Sequence, residues 1–359
     1  MDSTAPRSHG SPSRRAVLGL GGGGLALLLS ACSTGPAGQG DESSAAASGS
    51  SGSGSFPVTI EHVYGSTEIP EKPQRVATVS WANQDAALAL GVVPVGMAAV
   101  EFGGNENKST DWFDEALKKI DGAKRPKTWS EADGIDAEAV AAVRPDVILA
   151  TYSGITKEDY ERLSKIAPTV AYPKDVPAFG TSWQDTLEIT GRALGREAEA
   201  KRVREDLEKQ IAEAAKKHPE LKGTTFLYGT VDPAAADQIS IYTETDNRPK
   251  FLTSLGMEQA EVAKQKAKGD EFFFTHSPEK ADELESDVLI TSAADESVGK
   301  KIADDALLSK IPAVEDDAVV LQTDEQQTLS VSAISPLSIP YALEHVVPPI
   351  AEAAKAAKN

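Results

Sequence analysis

The sequence predicts an α/β protein of two lobes with mainly parallel sheets, joined by a single long helix. Three observations predict it. One phrase occurs twice, as EAVAAVRPDVILAT at Glu138–Thr151 and as EKADELESDVLITS at Glu279–Ser292. Each copy begins with Glu, places an apolar residue five positions on (Val143, Leu284) and Asp eight positions on (Asp146, Asp287), and then enters a short apolar strand. Elsewhere, apolar runs bounded by turn residues alternate with helical patterns, which implies βαβ units around a parallel sheet. Between the two copies, Trp183 to Lys217 contains no proline and repeats apolar residues at helical spacing. The length of 359 residues is also more than one ordinary core accommodates.

The elements follow in chain order. Residues 1–31 read as an export signal: Arg14 and Arg15 form its charged region, and Gly19–Leu29 is an apolar run too short to span a bilayer. The run SRRAVL resembles a twin-arginine signal, and Leu29-Ser30-Ala31-Cys32 matches a lipobox, with Cys32 as the lipidated residue. Gly19–Gly24 satisfies GxGxxG but follows no strand, so it is no dinucleotide site. In the linker, residues 32–55, 18 of the 23 positions after Cys32 are Gly, Ser or Ala, which makes it a flexible tether. Its reach is roughly 25 Å. Signal, anchor and tether together place the body at the extracytoplasmic face of the cell membrane.

The N-terminal lobe, residues 56–181, opens with the strand Val58–Ile60 and a Gly65-Ser66 turn. Prolines in IPEKPQRVATVSW lead into the strand Arg75–Val79. A helix from Asp85, a strand over Val93–Ala98 and a polar loop over Gly103–Ser109 follow. Then come the helix Glu138–Val143, the strand Asp146–Ala150, the helix Lys157–Ile166 and the strand Thr169–Ala171. Residues 182–217 form the connecting helix, capped by Thr181 or Ser182; Gly191 and Gly195 can interrupt its first part, leaving Arg196–Lys217 as a rod of roughly 33 Å. The C-terminal lobe, residues 218–359, has strands at Thr225–Gly229, Ile239–Tyr242, Glu271–Thr275, Asp287–Thr291 and Ala318–Leu321. Its helices are expected at Arg248–Ser254, at Glu279–Glu285 and from Leu337 onward. Asp136 and Ser277 hold the N-cap positions of the two repeated helices, which sets Glu138 and Glu279 in first turns. A carboxylate there also gains from the helix dipole, so position alone assigns it no role.

Composition narrows the function. Lys and Arg number 36 against 55 Asp and Glu, a net charge of −19 that repels nucleic acid. One cysteine excludes an internal disulfide and a cysteine-built metal site. GxSxG and HExxH are absent, and the five histidines are scattered; His276 beside its apolar strand reads first as a structural residue. Catalytic residues are not expected, nor is a metal held by protein ligands. Ligands of parallel sheets sit beyond the carboxyl ends of strands. Those ends carry Trp81, Phe102, Tyr152, Tyr172, Tyr228 and Tyr242, and Trp112, Trp129, Phe179 and Trp183 fall near loops on the same side. Such rings suit a bulky, partly apolar ligand, although each alone also suits the edge of a core. Arg248 is the basic candidate of the second lobe, either in the cleft or paired with Asp246 or Glu244.

IPEKPQRVATVSW, the phrase Glu138–Gly154, KIAPTVAY, GRALGREAEA and SPLSIPYAL together resemble the iron-siderophore substrate-binding lipoproteins of ABC importers. These belong to a helical-backbone class that also includes cobalamin and haem binders. The likeness runs from about Pro57 to the C-terminal helix, and the signal resembles those of high-GC Gram-positive bacteria. The resemblance implies two Rossmann-like lobes with mainly parallel sheets joined by a single long backbone helix, and a ferric siderophore in the cleft with its iron already coordinated. It implies no covalent cofactor, a monomer, and ABC permease transmembrane subunits as partners, with Glu138 and Glu279 matching the docking glutamates. The ligand-binding candidates are Trp81, Phe102, Trp129, Tyr152, Tyr172, Trp183, Tyr228, Tyr242 and Arg248. The loops are rich in acids (Glu101, Asp232, Glu244, Asp324), which favours a neutral or cationic complex of the hydroxamate type. The alternatives are a cobalamin or haem carrier, with His276 or Tyr152 as an axial ligand, and a cell-envelope enzyme or scaffold.

Overall fold

Two open sheets, one in each lobe, flank a cleft in the computed structural model, which describes residues 54–234 and 238–358. The signal, Cys32 and nearly all of the linker lie outside the described residues. Among the described residues no helix is long and apolar enough to cross a membrane.

The first lobe begins with an antiparallel hairpin of β1 (Val58–His62) and β2 (Gly65–Ile69), whose alternate residues Ile60 and Ile69 are buried. There follow β3 (Val76–Thr78), α1 (Asn83–Ala89), β4 (Gly96–Ala98), α2 (Asp111–Lys118), β5 (Lys127–Trp129), α3 (Ala137–Ala142), β6 (Val147–Leu149), α4 (Lys157–Leu163) and β7 (Thr169–Val170). The five strands β3–β7 form an all-parallel sheet in the order β5-β4-β3-β6-β7. Its central strands β3 and β6 are buried at every position, as expected for a sheet covered on both faces. Helix α3 starts where expected, because the Asp136 carboxylate accepts from the N–H groups of Glu138 and Ala139.

The connecting segment is two helices, α5 (Trp183–Leu194) and α6 (Glu197–Lys217). Ser182 caps α5, Gly191 is carried inside it, and Gly195, at φ 61°, ends it in the left-handed conformation that glycine adopts without strain. The 21 residues of α6 make a rod of roughly 30 Å. One stripe of it, Ala200, Leu207 and Ile211, is buried against the second lobe.

The second lobe continues with β8 (Thr225–Thr230), β9 (Ile239–Tyr242), α7 (Asn247–Ser254), β10 (Glu258–Gln259), α8 (Glu261–Lys266), β11 (Phe273–His276), a 3-10 segment (Pro278–Glu283) and β12 (Val288–Ser292). It closes with α9 (Ser297–Asp304), α10 (Pro312–Glu315), β13 (Val319–Gln322), α11 (Glu325–Ser332), α12 (Ser338–His345) and α13 (Val347–Ala356). The sheet order is β11-β9-β8-β12-β13, with β10 paired to the start of β8. Here β9 alone runs against the rest. The connection 231–238 is too short for the crossover of about a dozen residues that a parallel neighbour needs.

Two points require correction. The helix expected at Glu279–Glu285 is a 3-10 segment broken at Lys280 (φ −118°, ψ 27°), and the Ser277 side chain makes no capping bond. The cause is His276, whose Nε2 lies 2.7 Å from the Lys280 carbonyl oxygen and competes for the group that a helix would use. The helix α2 and the strand β5 were not expected, since three-residue strands such as Lys-Thr-Trp show no readable alternation. Beside the connecting helices, the lobes also meet directly. Leu329 and Ala333 pack among Ala82, Met97, Trp112 and Tyr152 of the first lobe, and Gly103 N–H donates to Glu325 across the seam at 3.1 Å.

Candidate functional site

The carboxyl ends of both sheets open into a cleft of about 670 Å³. The first lobe contributes the turns after β3 (Ser80, Trp81), β4 (Val100–Phe102) and β5 (Glu131). The second contributes Thr230 from β8, Ser292 from β12, Tyr242, Arg248 and the face of α11 from Thr328 to Ala333. Sheet topology thus delivers the expected location.

Its rim is aromatic. Trp81 is 57% exposed and Phe102 52% exposed, large apolar surfaces left uncovered at the mouth. Ser80 and Ala82 flank Trp81 with φ of 63° and 61°, so the turn that presents the ring is held in the sparsely populated left-handed region. Phe179 lies 5.8 Å from Trp81 and 6.0 Å from Tyr152, centroid to centroid, continuing the ring of aromatics.

On the opposite wall Arg248 is fixed before any ligand arrives. Its Nε and Nη2 each donate to Asp246 at 2.7 Å, and its guanidinium lies 3.5 Å from the centre of the Tyr242 ring. Burial works against its charge, but the hydrogen bonds and the field of Asp246 outweigh this and raise its pKa. Both alternatives for Arg248 are therefore present: it lines the cleft and it pairs with Asp246.

Two acids that the sequence reading missed also line the cleft. Asp85, on α1, is 2% exposed. Its Oδ2 accepts from Trp112 Nε1 at 2.8 Å and from Ser335 Oγ of the other lobe at 2.6 Å. Burial pushes its carboxyl up to about 6, against the lowering effect of hydrogen bonds from Ser335, Trp112 and Gln84. Glu131 accepts from Ser80 N–H at 2.9 Å and from Trp129 Nε1 at 3.0 Å; burial raises its pKa, partly offset by those two bonds. Of the acids that were expected there, Glu101 lines the cleft, while Asp232, Glu244 and Asp324 do not.

The structure places the other candidates outside the cleft wall. Trp129, at the end of β5 rather than in a loop, fills the space over Gly96, where a Cβ would lie 2.5 Å from its ring; it reaches the site through Glu131. Tyr152 is a buried link between lobes, its hydroxyl accepting from Asn247 at 3.0 Å and donating to the Ser332 carbonyl at 3.3 Å. Tyr172 packs edge-on to Tyr64 behind the hairpin. Trp183, the first residue of α5, belongs to the main core. Tyr228 is 1% exposed, bonds to Gln322 and supports the Tyr242 ring. Of the four tryptophans, all expected near loops, only Trp81 is exposed. His276 is a satisfied buried residue away from the cleft.

Glu138 and Glu279 are both exposed, each in the first turn after a strand, so topology sets one on each lobe at the carboxyl ends of the sheets. Among the described residues neither carboxylate has a hydrogen bond or ion-pair partner.

Residues 76–325 match the periplasmic binding protein family. The chain belongs to that family. Its resemblance to the siderophore-binding branch, read from the sequence, holds. The PiaA protein of Streptococcus pneumoniae TIGR4, solved in complex with ferrichrome, is 36% identical, with a TM-score of 0.76 over 83% of this chain and 99% of that one. YhfQ of Bacillus subtilis, a lipoprotein classed with ABC transporter substrate-binding proteins, is 28% identical over 240 residues, 66% of this chain. The match spans 65% of that relative's length, just under two thirds. YfmC, the Fe(3+)-citrate-binding protein of Bacillus subtilis, is 26% identical over 242 residues, 67% of this chain and 69% of its own. The α/β two-lobe fold is that of the PiaA structure.

Proposed function

We propose that this chain is the solute-binding lipoprotein of an ABC importer, that it binds a ferric siderophore of the hydroxamate type in the interlobe cleft, and that it delivers it to the permease. The observation that carries this reading is the cleft itself. Its volume of about 670 Å³ suits a drug-sized ligand, both lobes line it, and exposed Trp81 and Phe102 offer rings for an apolar siderophore backbone. The similarity to the ferrichrome-bound protein supports the hydroxamate class. Charge supports it against citrate, the ligand in the name of YfmC, since a citrate complex is anionic and the only arginine lining the cleft among the described residues, Arg248, is already committed to Asp246.

In this reading Trp81, Phe102, Tyr242 and Arg248 contact the ligand, and the lobes comprise residues 56–181 and 218–359 with 182–217 between them. Iron arrives coordinated by the siderophore, so binding involves no covalent cofactor and no catalytic step. Cys32 carries the lipid and holds a monomeric body outside the membrane, and Glu138 and Glu279 dock on the permease. The test is a tryptophan-fluorescence titration of the full chain with ferric hydroxamates, ferric catecholates, ferric citrate, haem and cobalamin. Tight binding confined to hydroxamates is expected. Tight binding of catecholate or citrate alone would overturn the ligand class, and indifference to every iron complex would overturn the function.

A further inference from the structure

In the siderophore reading, on which this role rests, Trp81 is the most exposed ring offered to the ligand. Its ring neighbour is Phe179 at 5.8 Å, so the backbone rather than close packing must aim it. On either side of it Ser80 and Ala82 hold φ of 63° and 61°, a region that residues with a Cβ keep only where their surroundings enforce it. Two side chains do the enforcing. After the ring, the fully buried Asn83 donates through Nδ2 to the carbonyl oxygens of Trp81 at 3.1 Å, Val79 at 2.8 Å and Tyr152 at 2.9 Å. Before the ring, Ser80 N–H donates at 2.9 Å to Oε2 of Glu131, which comes from a different strand end, just past β5. Asn83 is neutral and enclosed. Glu131 is half-buried, lines the cleft beside the turn and can change its charge.

The position calls for an ionised carboxylate. Its other oxygen, Oε1, accepts from Trp129 Nε1 at 3.0 Å, so each of its two oxygens faces an N–H donor. A carboxylate offers a good acceptor on both sides. A protonated acid keeps one, and an amide turns an NH2 group toward one of the two donors. In either neutral form Ser80 and Trp129 compete for the single good acceptor that remains. Trp129 is buried over Gly96 and does not depend on this bond for its place, whereas the Ser80 N–H bond ties the strained turn to the neighbouring strand end.

We propose that Glu131 is a positioning residue for ligand binding: its carboxylate holds the Ser80–Ala82 turn in the conformation that aims Trp81 into the cleft, and its protonation releases the ring and weakens the siderophore complex. Burial raises the pKa of Glu131, the Trp129 and Ser80 bonds lower it, and the field of Asp159 raises it, with an upward shift as the result. Asp159, on α4, is itself paired with Arg162 at 2.7 Å. The other charged groups of the cleft wall are Asp85, Glu101 and Arg248, the last matched by Asp246. The affinity owed to the aimed ring is therefore present while Glu131 is ionised, and it is lost as pH falls through a point above the ordinary carboxylate range.

The experiment asks whether Glu131 acts through Trp81. Ferrichrome is titrated calorimetrically into the full chain, Glu131→Gln, Trp81→Ala and the double variant. Glu131→Gln is expected to weaken binding about threefold in the parent and by less than about 1.5-fold in the Trp81→Ala background, because a positioning residue matters only while the ring is there. The ratio of parent to Trp81→Ala affinity should fall toward one from about pH 8 to about pH 5, and taking the ratio cancels titrations that affect both chains alike. Without ligand, acrylamide quenching of Trp81, taken as the difference between chains with and without that ring, should change on Glu131→Gln. Equal weakening in both backgrounds, or an affinity ratio constant with pH, overturns the positioning role. The pH series needs only the parent and Trp81→Ala, so it decides the matter if Glu131→Gln does not fold. A parent chain that binds no ferrichrome overturns the hydroxamate reading; the quenching comparison then judges the turn by itself, and an unchanged Trp81 overturns the role of Glu131.

Discussion

In the first lobe, the repeated phrase begins as a helix whose Asp136 cap accepts two backbone N–H groups, and the cleft wall beside it carries exposed rings and the carboxylates of Asp85, Glu101 and Glu131. In the second lobe, the same phrase begins as a kinked 3-10 segment without a side-chain cap, and the cleft wall carries an arginine already clamped between Asp246 and Tyr242. Both copies lead into a strand that lies beside the central strand of its sheet, β6 and β12, while differing in local conformation and in readiness for a ligand. What both copies preserve is an exposed glutamate at the carboxyl end of the sheet. The difference teaches that the repeat encodes where a residue is delivered rather than how its backbone gets there.

The largest expected effect tests the feature held in common. Glu138→Ala combined with Glu279→Ala should bring siderophore-dependent iron uptake in cells to background, with ligand affinity of the purified chain unchanged within about twofold. If the C-terminal 3-10 segment presents its glutamate as effectively as α3 does, each single substitution should cause a similar partial loss. Lost ligand binding would remove the docking role.

The contrast between walls predicts opposite behaviour of two substitutions. Arg248→Ala leaves Asp246 buried without its partner and should cost about 3–5 kcal/mol of stability by denaturant unfolding. Trp81→Ala removes an exposed ring and should change stability by less than about 0.5 kcal/mol, yet weaken siderophore binding by about tenfold. A large loss of stability in Trp81→Ala would show that the N-terminal wall is as pre-built as the other.

These walls were not equally legible. The delivery of Trp81, Phe102 and Tyr242 to one cleft could be read from strand ends, because topology fixes where strand ends lie. The capped start of α3 and the break at Gly195 were legible too, since both depend on local chemistry. Asp85 and Glu131 were not. Asp85 sits in NQDAALA, which reads as an ordinary first helical turn, and its partners Trp112 and Ser335 are distant in sequence. Tyr152 and Trp183 were read as cleft residues because an aromatic at a strand or helix end looks the same whether it faces a ligand or the opposing lobe. The kink at Lys280 escaped notice because it depends on a side chain, His276, that belongs to the preceding strand.

Asp85 gives a pH-dependent prediction across the seam between the lobes. Burial raises its folded-state pKa from 3.8 to about 6, so the folded chain holds the proton to higher pH than the unfolded chain does. Its contribution to stability is therefore greatest below about pH 4 and falls as pH rises through 6, by about 3 kcal/mol for a shift of about two units. Asp85→Asn removes the ionisation, keeps an oxygen for Trp112 and Ser335, and supplies a donor beside Gln84. Thermal melts should show the variant more stable than the parent at pH 7–8 by up to about 3 kcal/mol, with the advantage vanishing near pH 4. A variant less stable at every pH would mean that the ionised carboxylate is needed to hold Ser335.

The smallest effect returns to the repeated phrase. Asp136 satisfies two N–H groups that have no partner within the helix, so Asp136→Ala should cost about 1 kcal/mol. Ser277 occupies the matching place but its hydroxyl makes no capping bond, and the first turn behind it is held by Pro278 and by His276 on the Lys280 carbonyl. Ser277→Ala should therefore change stability by less than about 0.5 kcal/mol. Chemical unfolding of the two variants side by side measures the difference. Equal losses would mean that Ser277 caps a regular helix in solution, and that the two copies of the phrase share their local conformation as well as their destination.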